Sequence, residues 1–91
     1  MTTENLATLV ESITGADPMR YSRARPVVEA RAVLVSALRA QGLSEEAIAQ
    51  EIGFSRGCIH HQIELMRDAE RYGNAPQMLS YWKKLKALLD L

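Results

Sequence analysis

The stretch that most restricts the possible folds is "LSEEAIAQEIGFSRGCIHH", residues 43–61. It holds two helix starts in close succession. Ser44 is placed to cap a first helix, and Glu45 and Glu46 fall in its first turn, where the helix dipole favours negative charge. Leu43 and Ile48 take the two positions of a hydrophobic staple. Gly53 can close this helix in the left-handed conformation. Ser55 is placed to cap a second helix, and Phe54 with Ile59 repeats the staple. Ala49, four residues before Gly53, lets the second helix approach, while Ile48, Ile52, Phe54 and Ile59 can lock the pair. The spacing predicts a helix-turn-helix over 44–53 and 55–72. A plain corner between two helices of a bundle uses similar chemistry, so the motif alone does not separate DNA reading from packing.

The rest of the chain also reads as helix. Leu6, Leu9, Val10 and Ile13 recur at helical spacing, which predicts a helix over 3–14 that stops at Gly15. Residues 15–25, "GADPMRYSRAR", combine Gly, Pro and three arginines and read as an ordered basic loop or a linker. Pro26 suits a helix first turn, and the helix it opens runs over 26–41 to Gly42. Val27, Leu34 and Leu38 share one face of it, flanked by Val28, Ala30 and Val35. Arg31 falls inside that apolar arc. It can pack its stem on the core and snorkel its guanidinium outward, or hold the guanidinium toward a ligand beside the basic loop. Gly73 and Asn74 break the chain and Pro76 restarts it. The last helix, 75–90, carries a wide stripe of Met78, Tyr81, Trp82, Leu85, Leu88 and Leu89. No strand-like alternation occurs anywhere. The expectation is one all-α domain over 1–91 with about five helices.

Composition removes several function classes. No apolar run is long enough for a membrane span, and no secretory signal pattern opens the chain. A single cysteine, Cys58, excludes an internal disulfide and suits a reducing cytoplasm, so a cytoplasmic protein without membrane association is expected. Phosphate-cradling Gly-rich loops are absent, as is any nucleophile–base–acid set, so neither a nucleotide cofactor nor catalysis is expected. Cys58, His60 and His61 cluster, but structural zinc takes four ligands and the chain has no other Cys or His; no metal is expected.

Charge points elsewhere. The formal net charge is zero, yet Arg20, Arg23, Arg25, Arg31 and Arg39 stand against Glu29 alone between residues 20 and 43. A basic segment just upstream of a helix-turn-helix fits double-stranded DNA: arginine-rich arms beside such motifs enter the minor groove while the second helix reads the major groove. Arg23 and Arg25 are the candidates for the arm. The outward face of the second helix is Arg56, Gly57, His60, His61 and Glu64, extending to Arg67. Arg56 can reach guanine edges or a phosphate. His60 and His61 point in different directions, so only one faces the groove fully.

The segment "SRARPVVEARAVLVSALRAQGLSEEAIAQEIGFS" resembles the C-terminal DNA-binding domain of DnaA, the bacterial replication initiator, and the order of elements matches from about Asn5 to Leu89. The resemblance implies a Trp-repressor-like helical fold that binds double-stranded DNA, with the basic loop (Arg20, Arg23, Arg25) at the minor groove. It places Ala30-Arg31 where that family has an Ala-Arg pair, implying a phosphate contact by Arg31. It also has Leu43-Ser44 open the motif as in that family and puts Ser55, Arg56, Gly57 and Cys58 at the start of the reading helix. The family's Arg-Asp-His-x-Thr-Val signature is replaced by "FSRGCIHH", so recognition of the initiator's own sequence is not implied. With no ATPase portion, the resemblance suits a domain of a phage, plasmid or other mobile element acting in transcription or replication control. A protein-interaction or homodimer module on the same scaffold, using the last helix, is the alternative; zero net charge, Glu64, Asp68 and the missing base readers favour it.

Overall fold

A computed structural model describes all 91 residues. Five α-helices follow one another without a strand: α1 Thr3–Thr14, α2 Arg25–Ala40, α3 Glu45–Ile52, α4 Arg56–Tyr72 and α5 Pro76–Leu89. Local chemistry sets most of the boundaries. Thr2, Ser44 and Ser55 each cap a helix, their hydroxyl oxygens accepting from the backbone N–H of Asn5, Ala47 and Cys58 at 3.1 Å. This satisfies amide donors that a helix start otherwise leaves unpaired. The α3–α4 connection is only Gly53-Phe54-Ser55. Gly53 takes φ +76°, and its N–H donates to Ala49 O at 2.9 Å, so the chain can reverse at once.

α2 begins one residue earlier than expected, at Arg25, with Pro26 second. The cause lies in the loop: Ser22 Oγ accepts from the Ala24 N–H at 3.1 Å, and Ala24 O already accepts from Val28 at 3.0 Å, which makes Ala24 the cap. A proline ring is tolerated there because the first-turn amides have no intrahelical acceptor.

The single apolar face expected for α2 is also too narrow. Ala32 and Val33 are as buried as Leu34, and burial continues from Ala30 through Val35 and over Ala37 and Leu38. α2 packs against all four other helices and is the axis of the bundle. A helix met on so many sides needs a wide apolar arc, and its alanines allow that close approach; Glu29, Ser36 and Arg39 lie outside the arc. Leu6 and Val10 of α1, Ile48 and Ile52 of α3, Ile59, Ile63 and Met66 of α4, and Met78, Trp82 and Leu85 of α5 close the core around it. Most of the α5 stripe is used in this way; Leu88 is the large side chain of α5 left exposed. No helix is long and apolar enough to cross a membrane.

Candidate nucleic-acid interface

The basic loop is held by its own backbone and by two side chains from other elements. Asp17 Oδ1 accepts from the Met19 N–H at 2.9 Å, turning the chain at buried Pro18. Arg31, which is 4 % exposed, reaches under this turn from α2. Its Nε donates to Pro18 O at 3.1 Å and its Nη2 donates to Arg20 O. The guanidinium carbon lies 4.3 Å from the centroid of the Phe54 ring, in the α3–α4 turn. On the same ring sits Tyr21, centroid to centroid 4.7 Å at a 32° tilt, with its hydroxyl donating to Gly53 O at 2.8 Å.

Arg31, Phe54 and Tyr21 thus tie the loop to the α3–α4 turn. A buried guanidinium without a carboxylate partner is costly unless dipoles and ring faces replace water around it. Here two carbonyls and an aromatic face do so. The Arg31 guanidinium is thus held by two carbonyls and a ring face and does not snorkel outward, while the residue still borders the cavities beside the loop. It positions the loop.

What the loop presents is a cavity. Between residues 22–25 and the first half of α4 lies a space of about 480 Å³, bounded by Ser22, Arg23, Arg25, Val28, Arg31, Cys58, His61, Gln62 and Leu65. A second hollow adjoins it, between Tyr21, Ser22 and Arg23 on one side and Phe54 and Cys58 on the other. Arg23 and His61 are exposed and have no ion-pair partner; Arg25 is 74 % exposed and touches Glu29 at 3.2 Å. A pair whose cation is largely in water is weakened by solvent, which leaves the Arg25 guanidinium open to a second anion. Arg56 and Gly57, in the first turn of α4, are exposed as well. Gly57 has no left-handed φ, and a Cβ built on it would meet nothing within 4 Å. The fold has no need of a glycine there, whereas a ligand approaching the backbone would.

Other expected site residues lie apart from this cavity. His60 turns toward α3, with Nδ1 3.1 Å from Glu45 and Nε2 3.8 Å from Glu64. Arg67 Nη1 pairs with Glu64 at 3.0 Å and faces a separate groove, of about 530 Å³, with Arg39, Arg71, Glu70 and Trp82. Of the two histidines it is therefore His61 that stands with the loop arginines. Arg20 is exposed but contributes its carbonyl to Arg31 rather than its side chain to the cavity. Ser44 and Ser55 are exposed caps whose hydroxyls accept from the backbone and keep a proton to donate outward.

Three residues that organise this region were not singled out for it: Tyr21, Phe54 and Gln62. Gln62 shares the buried stripe of Ile59, Ile63, Met66 and Ala69, is 2 % exposed, and its Oε1 has no hydrogen-bond partner. Helical spacing places a polar residue at that core position, a signal available from the sequence. Tyr21 and Phe54 carried no comparable signal, because they are distant in sequence and meet only in the fold.

No protein-family model, curated protein or solved structure matches this chain.

Proposed function

We propose that this protein binds double-stranded DNA, with the basic loop at a minor groove and the N-terminal half of α4 in the adjacent major groove. One observation carries the reading: the unpaired Arg23 of the loop, the exposed Arg25 at the start of α2 and the first half of α4 border one cavity, held in register by the Arg31–Phe54–Tyr21 stack. Elements in adjacent grooves of a duplex are separated by one sugar–phosphate strand, so a basic cleft between loop and helix suits that strand. Arg23, Arg25, Ser22 and the Ser55 hydroxyl supply phosphate contacts, which set affinity and salt dependence. Arg56 and His61 are the base-reading candidates, and Gly57 admits the close approach. The resemblance to the DNA-binding domain of DnaA supports the same arrangement. A role in transcription or replication control follows from sequence-selective binding.

The test is fluorescence anisotropy on duplexes selected from a random pool, repeated over a salt series. Saturable binding whose logarithm falls linearly with the logarithm of salt is expected; no binding at low salt sinks the proposal.

A protein-interaction module is the second reading. It draws on the acids that neutralise the other side of α4, Glu45 and Glu64, and on exposed Leu88. A dimer by light scattering, together with no DNA affinity, would favour it.

A further inference from the structure

Two hollows outside the loop–α4 cavity carry opposite charge and share no residue. The groove of about 530 Å³ between α2, α4 and α5 is lined by Arg39, Arg67 and Arg71, with Glu70 its one acid, around Ile63, Met66 and Trp82. Its cations are open to a further anion. Arg71 is exposed and has no ion pair. Arg67 meets Glu64 and Arg39 lies 3.9 Å from Glu45, but the two arginine side chains are 55 % and 47 % exposed. Ion pairs so open to water contribute little and exchange readily.

The other hollow, of about 550 Å³, lies between α1, the turn at Pro18 and α3. Glu4, Glu11, Asp17 and Glu51 line it; all four are exposed and no basic residue joins them. None makes an ion pair. Asp17 and Glu51 accept hydrogen bonds from the Met19 N–H and the Thr3 hydroxyl, whereas the carboxylates of Glu4 and Glu11 have no partner. Glu4, Ala7, Thr8 and Glu11 follow the i, i+3, i+4, i+7 spacing of one helix face, and all four border the hollow.

Gathered carboxylates repel one another unless cations answer them, and no ion pair within the chain joins this cluster to the arginine groove. Two chains can make that match. The formal net charge is zero, so copies do not repel one another as wholes. We propose that the arginine groove seats the acidic face of α1 from a second copy of this chain. The guanidinium forks of Arg67 and Arg71 pair with the carboxylates of Glu4 and Glu11, and the small Ala7 and Thr8 between those acids let the helix lie close in the groove. The contact is heterologous: each copy offers its groove to one neighbour and its α1 to another, so assembly runs head to tail. Exposed charge pairs hold it, which makes it weak and sensitive to salt. It uses none of the cations assigned to the duplex and does not rest on the DNA reading.

The experiment is sedimentation velocity of the whole protein without DNA, up to about 1 mM, at low and at high salt. Dimers and longer species that grow with concentration at low salt and vanish at high salt are expected. Arg67→Glu with Arg71→Glu should weaken self-association about tenfold, and Glu4→Gln with Glu11→Gln about fivefold. Mixed one to one, the two variants should form a dimer and nothing longer, because each keeps one native face and the altered faces do not attract. Arg67→Gln with Arg71→Gln serves if the reversed chain does not fold.

The proposal is overturned if the wild-type chain stays monomeric throughout, which leaves the groove to an acidic helix of another protein. It is also overturned if association persists at high salt or at full strength in either variant, or if the mixture associates no better than its components. Association kept by both variants and lost in Leu88→Ser assigns the contact to the surface of α5 instead. With DNA left out, this proposal and the duplex reading can each fail alone.

Discussion

The two sides of α4 carry similar residues and are prepared for different work. On the opposite side, several basic side chains near the helix have acids beside them: His60 lies by Glu45 and Glu64, Arg67 meets Glu64, and Arg39 lies 3.9 Å from Glu45, while Arg71 farther along α4 has no ion pair. On the loop side, Arg23 and His61 have no acid, and the exposed Arg25 has only the half-buried Glu29. The loop side alone has a buried arginine beneath it that fixes backbone rather than charge. An arginine count along the sequence treats these sides as equal. Their difference lies in what each guanidinium already touches, and this makes the loop side the candidate interface.

The sharpest way to break this comparison is to remove its foundation. Arg31→Ala leaves two carbonyls and the Phe54 face without a partner, and should lower stability by about 3 kcal/mol in urea unfolding. Arg31→Lys should recover little, because an ammonium cannot span both carbonyls and stack on the ring. If Arg31→Ala unfolds at the wild-type midpoint, the loop is not held in this way. Next in size is the contrast in duplex binding at low salt. Arg23→Ala and Arg25→Ala should each weaken anisotropy-measured affinity about tenfold and reduce the salt slope by about 0.9, whereas Arg67→Ala should stay within about twofold. Equal losses at Arg23 and Arg67 would erase the distinction between the sides.

Tyr21→Phe removes only the bond to Gly53 O and keeps the ring on Phe54. It should cost about 1 kcal/mol and speed amide exchange in residues around the loop, measured by hydrogen exchange. Unchanged exchange would show that the ring contact alone holds the loop. Gly57→Ala is the smallest effect and has opposite signs in two measurements. Thermal unfolding should show a gain of roughly 0.5 kcal/mol, since alanine favours helix, while duplex affinity should fall as the methyl blocks approach. A gain in stability with no loss of affinity would remove Gly57 from the interface.

Much of the frame was legible locally. Ser44, Ser55 and Gly53 act on amides and carbonyls no more than four residues away, so their spacing was enough to place α3, the turn and α4. The stripe on α5 was legible for the same reason, and Met78, Trp82 and Leu85 are its buried members. Arg31 was not. Its partners lie 13 and 11 residues upstream and at Phe54, and a position inside an apolar arc is compatible with any of them. Nor could periodicity along α2 show that four helices surround it, because one helix's pattern records which residues are apolar and not how many neighbours they meet.

By itself, then, the sequence determined the helices and their joints, which rest on caps, staples and glycines acting within a turn or so of chain. Only the tertiary structure decided which charges are spent and which remain free. That question depends on contacts between residues far apart in the chain: Tyr21 with Gly53, and Arg31 with Pro18 and Phe54. The physical reason is that helix formation is satisfied locally, whereas burial and pairing of a charge are settled by whatever the fold brings beside it.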